Sequence, residues 1–159
     1  MAKVLQTSEI ACASIIEKFD QKAPFLRQLF ESVKDKAERD GYIATWLKRR
    51  SRFEKWQVNF MSTIYETKEE AQKISMDTSR AFTSNALNRL IQGSAADQSK
   101  MAMVAAHKAG LDIRLPVHDE INIMVHKKED INELKEIMIN VIKLEVPVEV
   151  DISVGDSWC

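Results

Sequence analysis

From Leu111 to Val125 the chain alternates apolar and polar residues with a single interruption, and this pattern constrains the fold more than any other feature. Leu111, Ile113, Leu115 and Val117 alternate with Asp112, Arg114 and Pro116; after His118-Asp119-Glu120 the alternation resumes with Ile121, Ile123 and Val125. A period of two marks a half-buried strand, so the segment predicts a hairpin with one apolar face and a charged tip. Ile131, Leu134, Ile137, Met138 and Val141 then recur at helical spacing, and Val148, Val150, Ile152 and Val154 alternate again as a third strand. The economical arrangement is α+β: an antiparallel sheet, hairpin plus third strand, backed by helices on its apolar face.

The N-terminal third reads as helical. Thr7 and Ser8 are candidate N-caps for a helix carrying Cys12, Ile15, Ile16 and Phe19 at helical spacing. A second helix is bracketed by Pro24 at its first position and Gly41 just past its end, with Leu26, Leu29, Phe30, Val33 and Ala37 as its apolar stripe. A short strand is predicted from Tyr42 to Trp46. A basic loop studded with aromatics follows: Lys48, Arg49, Arg50, Arg52, Phe53, Lys55 and Trp56. Thr67-Lys68-Glu69-Glu70 has capping-box form and predicts a long helix through Ala71, Ile74, Ala81, Phe82, Ala86, Leu87 and Leu90. Gln92-Gly93-Ser94 would interrupt it, with Ser94 and Asp97 capping another helix that ends at Gly110. A subdomain boundary is placed near residues 60–67; no Pro- or Gly-rich linker marks it, so the two parts are expected to share a continuous core.

Composition narrows the class. Only 4 Gly and 3 Pro occur in 159 residues, which excludes a collagen-like chain, a low-complexity linker and a turn-dense β-sandwich. With 45% hydrophobic and 30% charged residues the chain can bury a core. A net charge of −1 restricts any nucleic-acid contact to a local patch. Cys12 and Cys159 form no metal spacing or disulfide framework, which fits a reducing compartment. No stretch approaches 18 apolar residues and the first residues lack an apolar leader, so the expectation is an intracellular protein that engages no membrane.

The chemistry concentrates at the hairpin tip. Acidic residues at tips are ordinarily just solvated. Here, however, the strands are apolar up to the bend, which holds Asp119 and Glu120 rigidly against a sheet. Two adjacent carboxylates repel unless a cation or proton compensates them. Mg²⁺, a hard ion that takes one or two protein carboxylates together with substrate phosphates, suits them, and Mn²⁺ is a substitute. His118 beside them could contact a phosphate or sugar.

Leu115-Pro116-Val117-His118-Asp119-Glu120 resembles the Val-His-Asp-Glu signature of family A DNA polymerases, the DNA polymerase I type. Three further blocks carry the resemblance in the right order. Gly41-Tyr42-Ile43-Ala44-Thr45 with Arg49-Arg50 looks like the family's Gly-Tyr-x-x-Thr segment and its trailing arginines. Asn88-Arg89-Leu90-Ile91-Gln92-Gly93-Ser94-Ala95-Ala96-Asp97 is similar, in a bacteriophage-like version, to the Asn-x-x-x-Gln-Gly-(Ser/Thr)-Ala-Ala-Asp segment. Val154-Gly155-Asp156-Ser157-Trp158 is similar to the terminal Gly-x-x-Trp.

The resemblance implies a palm-type sheet. Residues 1–66 would be the end of a fingers-like helical subdomain and residues 67–159 the palm-like part. Asp119 would be one of two metal-binding aspartates, Glu120 an auxiliary carboxylate, and His118 a neighbour of the primer 3′ end. Asn88 and Gln92, four apart on one helical face, would reach the minor groove at the primer–template junction, where purine N3 and pyrimidine O2 report pair geometry without sequence. Arg49 and Arg50 would hold backbone phosphates.

Three departures stand out. The arginine often found eight positions before the glutamine is Ser84 here, with Arg80 or Arg89 as candidate substitutes. The usual Gly before the paired arginines is Lys48. The family's first metal-binding aspartate and its nucleotide-binding helix are not in this sequence; Asp77, in a predicted helix, is no replacement. The expectation is therefore a C-terminal portion of a polymerase, separately encoded or truncated. A partner chain would supply the missing aspartate and helix, and together they would act on primer–template DNA and dNTPs in the cytoplasm of a bacterial cell or phage-infected host. The rivals are a non-catalytic DNA-binding remnant and a self-sufficient nuclease.

Overall fold

Pro24 and Gly41 bracket a helix as the sequence predicts. The computed structural model describes residues 9–157, and the side chains from residue 11. Helix α1 (Glu9–Lys22) is followed by α2 (Pro24–Asp40), with Pro24 in the first turn, where its missing N–H costs nothing. Gly41 ends α2 with φ of 76° and donates its N–H to the Ala37 carbonyl at 3.0 Å. Val33 and Ala37 are buried, Leu26 and Phe30 half-buried, and Leu29 exposed. On α1, Cys12 is buried but Ile15, Ile16 and Phe19 are about half open. The N-caps expected at Thr7 and Ser8 lie outside the described residues, as does Trp158.

The next segments form two small antiparallel sheets. Strand β1 (Tyr42–Ala44) pairs with β2 (Arg50–Arg52) in the register Tyr42↔Arg52, Ile43↔Ser51, Ala44↔Arg50. Strand β3 (Trp56–Val58) sits between β4 (Ile64–Tyr65) and β5 (Thr78–Arg80). The short helix α3 (Lys68–Gln72) starts at Thr67, whose Oγ1 accepts from the Glu70 N–H at 3.2 Å. Val33, Ala37, Ile43, Phe53 and Ala86 make the core of this part, with Leu87 and Leu90 packed on it.

The long helix expected from Thr67 to Leu90 does not form. Thr78, Ser79 and Arg80 pair with Val58, Gln57 and Trp56 instead, and Ala81 N–H donates to the Lys55 carbonyl at 2.8 Å. Phe82 takes φ of 65°, which no right-handed helix accommodates. The apolar spacing over 71–90 is satisfied by a strand and a turn because cross-strand bonds outweigh weak helical propensity at Thr78-Ser79. Asp77 consequently lies in a loop, accepting from Asn59 Nδ2. The break expected at Gln92-Gly93-Ser94 is also absent. After a 3₁₀ turn (Thr83–Asn85), helix α4 (Ala86–Lys108) runs through it unbroken, tolerating Gly93 at a cost of about 1 kcal/mol relative to Ala, and Asp97 is buried inside the helix rather than capping it.

By packing, the chain divides into two units, Met1–Leu90 and Ile91–Cys159. The boundary expected near residues 60–67 falls inside the first unit, where β3 and β5 join the residues on either side of it. In the second unit, β6 (Asp112–Val117) and β7 (Glu120–Met124) form the predicted hairpin, followed by α5 (Lys128–Asn140). The architecture is α+β, as expected. The third strand is a correction. Among the described residues, 141–157 contain no strand; Val148 and Val150 are half-buried, but Ile152 and Val154 are exposed. Alternation there records partial burial without a ladder partner, and Pro147 removes one of the donors a ladder would use.

A second correction concerns the hairpin's faces. Ile113 pairs with Ile123 and Leu115 with Asn122, so Arg114 is an extra residue in β6. Such a bulge offsets the alternation by one. Cross-strand partners share a face, so Ile113, Pro116, Ile121 and Ile123 lie on one side, and Leu115, Val117, Glu120 and Asn122 on the other. The expected single apolar stripe Ile113–Leu115–Val117 is thereby split, and Leu115 is 43% exposed.

The β1–β2 connection is a three-residue loop. Lys48 N–H donates to the Thr45 carbonyl at 2.8 Å, and Thr45 N–H to the Arg49 carbonyl at 2.9 Å. This is the turn-plus-bulge hairpin whose last loop residue must be left-handed, normally Gly. Lys48 fills that position with φ of 63°. Left-handed backbone costs a non-glycine residue about 1–2 kcal/mol, while Gly loses roughly 0.4–1 kcal/mol more on folding. Lys48→Gly is therefore expected to raise stability by roughly 0.5–1 kcal/mol, read as a higher urea midpoint at unchanged slope.

Candidate active site and nucleic-acid interface

The acidic tip is built by a two-residue turn. Val117 pairs with Glu120, leaving His118 and Asp119 as the central residues, with His118 at φ of 54°. Positive φ at the first central position suits the right-handed twist of the flanking strands. His118, Asp119 and Glu120 are all exposed. Adjacency in sequence thus becomes adjacency at one bend, with Asp119 in the turn and Glu120 opening β7. Among the described residues no three His, Cys, Asp or Glu side chains converge as a closed metal site. Two exposed carboxylates fit a hard divalent cation as a partial ligand set, completed by oxygens of other origin.

The hairpin's base is pinned by charge. Asp112 Oδ2 lies 3.1 Å from His126 Nε2 and accepts from Arg114 at 2.6 Å. These partners, His126 foremost, hold the Asp112 carboxyl below its ordinary range. Asp130 accepts from the Lys127 and His126 backbone N–H groups, both at 2.9 Å, which lowers its pKa and fixes the start of α5. The bulge residue Arg114 is therefore tethered at the foot of the ribbon that carries the acids.

The candidate DNA contacts fall in several places. Asn88 and Gln92 are exposed and four apart on α4, so they share one helical face. Asn88 lies in the first turn of α4 and Gln92 in its interior. Arg50 is exposed, its guanidinium 4.4 Å from the Tyr42 ring centre. Arg49 is exposed next to the β1–β2 loop, its N–H bonded to Thr45 Oγ1 at 3.1 Å. Arg89 stacks 4.7 Å from the Phe53 ring centre and donates to the Arg52 carbonyl at 3.3 Å.

Arg80 differs from these. It is half-buried, donates to the Glu38 and Phe53 carbonyls at 3.1 and 2.8 Å, and lies 4.7 Å from the Trp56 ring centre. Its guanidinium serves the fold, so its expected role on DNA is not retained. The spacing of basic residues could not distinguish Arg80 from the exposed arginines, because its carbonyl partners are 27 and 42 residues away.

An antiparallel hairpin that exposes two adjacent carboxylates at its bend, in an α+β chain whose helix α4 exposes Asn88 and Gln92, has the donor set of a protein that works on phosphates with a divalent cation. The model of DNA polymerase family A matches residues 1–159. The chain belongs to DNA polymerase family A. It is 40% identical over 145 residues to a DNA-directed DNA polymerase of Pseudomonas phage M6, covering 91% of this chain and 19% of that protein. It is 30% identical over 152 residues to the thermostable DNA polymerase I of Thermus aquaticus, covering 91% and 16%. Among solved structures, the polymerase domain of Pol1 from M. smegmatis, in complex with DNA primer-template and dNTP, superposes with a TM-score of 0.75 at 31% identity, covering 99% of this chain and 27% of that one. The chain thus spans under a fifth of the length of the two relatives. Among the described residues no helix is long and apolar enough to cross a membrane.

Proposed function

We propose that this chain contributes one metal-binding aspartate and the primer–template contacts of a DNA-directed DNA polymerase acting in DNA replication. The observation that carries the reading is the tight two-residue turn that exposes Asp119 beside Glu120 in a chain matched throughout by the family. Asp119 and Glu120 would hold Mg²⁺, with Mn²⁺ as a substitute. When bound, the metal supplies charge neutralisation at the reacting phosphate and acidifies the primer 3′-hydroxyl. His118 orients the primer terminus, Asn88 and Gln92 monitor the minor groove of the junction pair, and Arg49, Arg50 and Arg89 take backbone phosphates.

The other metal-binding aspartate, the nucleotide-binding helix and the rest of the DNA cleft come from polymerase sequence outside these 159 residues, in the same or a partner chain. The half-open Ile15, Ile16 and Phe19 on α1 and Phe25 and Leu29 on α2 support this, because so much apolar surface is normally covered. Within this reading residues 1–66 are the end of the fingers and residues 67–159 the palm, a functional division; by packing, residues 67–90 go with the first unit. The bacterial and phage relatives support action in the cytoplasm of a bacterium or an infected host.

The test joins this chain to the missing elements, in cis or as a mixture, with Mg²⁺, primed template and dNTPs. Primer extension that requires both parts is the expected outcome. DNA binding without extension in any combination would leave a non-catalytic remnant, and degradation of DNA by the chain alone would indicate a nuclease.

A further inference from the structure

The β1–β2 hairpin carries more than the phosphate contacts given above to Arg49 and Arg50. Arg50 and Arg52 face the same side as their partners Ala44 and Tyr42, while Ile43, 2% exposed, turns into the core. One face of the ribbon thus carries exposed Arg50 and Arg52, with Glu54 4.0 Å from Arg52 Nε. At its end the three-residue loop presents Trp46 and Leu47, each 51% exposed, followed by Lys48 and Arg49. Trp46 thus brings a half-open aromatic face to a loop tip beside four cations in sequence, Lys48, Arg49, Arg50 and Arg52. Lys48 is a second distinctive feature, because its position demands left-handed backbone that Gly would adopt without steric strain. A strained cation at a site favouring Gly marks a position where charge is worth more than stability.

We infer that the Trp46-Leu47-Lys48 tip is a grip for single-stranded nucleic acid: Trp46 stacks on an unpaired base, and Lys48, Arg50 and Arg52 track the adjoining phosphates. Aromatic platforms flanked by cations hold single strands in this way, because every base offers a π-face and every nucleotide a phosphate. The matching strand on a primer–template is the unpaired template stretch. This inference rests on the proposed polymerase role and adds a base-stacking site to it.

The test measures binding, by fluorescence anisotropy, of protein containing this chain to a primer–template with a single-stranded overhang and to a blunt duplex of equal paired length. Trp46→Ala is expected to weaken overhang binding roughly 5- to 150-fold, the range for loss of one stacked base, and to change blunt-duplex binding less than about twofold. Trp46→Phe keeps a stacking ring and should retain most of the affinity, which also shows that the loop tolerates replacement. Lys48→Gly should reduce the salt dependence of overhang binding by about one phosphate, a change in log–log slope of roughly 0.7. Equal overhang affinity in Trp46→Ala and the parent protein would overturn the inference, as would equal losses on both DNAs, which would indicate a wedge in the duplex groove. If the parent protein binds neither DNA, the polymerase reading fails with it; if it binds both and only the Trp46 effects are missing, that reading stands and the grip does not exist.

Discussion

Asp119→Ala is expected to abolish primer extension in an active assembly while leaving DNA binding nearly intact. The carboxylate sits in a two-residue turn closed by the Val117–Glu120 pair, and its replacement removes no ladder bond and opens no core cavity. The fold should therefore survive, with a melting temperature close to that of the parent. Loss of a metal-binding carboxylate withdraws several kcal/mol of transition-state stabilisation, roughly a thousandfold or more in rate. Affinity for DNA should hold or rise slightly, since the change removes a negative charge from a site proposed to face phosphates. Single-turnover extension read beside anisotropy separates the two quantities. Normal extension by Asp119→Ala would end the assigned role, and a parallel fall in affinity and rate would make Asp119 a structural residue. Glu120→Ala should be milder, consistent with an auxiliary carboxylate.

The second large effect is on stability. Arg80→Ala is expected to destabilise the first unit by about 2–4 kcal/mol. It removes the donors to two carbonyls, those of Glu38 and Phe53, and hydrogen bonds from a charged group are worth about 1.5–3 kcal/mol each, less where water can replace the donor. The Glu38 carbonyl lies in the last turn of α2, where carbonyls lack helical partners and a cation is favoured. The stack on Trp56 is lost as well.

Gly41 makes this prediction sharper. A Cβ built on Gly41 would lie 2.8 Å from the Arg80 guanidinium carbon, and its φ of 76° is left-handed. Gly41→Ala alone should thus cost backbone strain plus displacement of Arg80. Combined with Arg80→Ala, the displacement cost vanishes, so the double variant should lose less than the sum of the singles. Additive losses would show that the two sites do not communicate through that contact. Urea unfolding of the four proteins completes the cycle.

Much of this was legible in the residues themselves. Pro24 and Gly41 bracket a helix because each relieves a local problem at a helix end, and the strands around His118-Asp119-Glu120 declare themselves by alternation. What could not be read depended on distant partners. Thr78-Ser79-Arg80 looks like the middle of a helix until Trp56-Gln57-Val58 is laid beside it. Val148 to Val154 alternates like a strand but has no ladder partner among the described residues. Arg80 and Arg50 are indistinguishable as letters; one is held by carbonyls far away in the chain and the other lies open over Tyr42. The acidic tip needed no tertiary information, since its chemistry comes from neighbours in sequence.

The extra residue in β6 has a consequence for how the acids are aimed. Arg114 has no counterpart on β7, and such an insertion bends and twists a ribbon locally. The direction in which Asp119 and Glu120 project is therefore set five and six positions before them, at a residue whose side chain is anchored to Asp112. Deleting Arg114 would leave every carboxylate in place yet straighten the arm that carries them. Changes in chain length at that position would retune the reach of the acids without altering any reactive group.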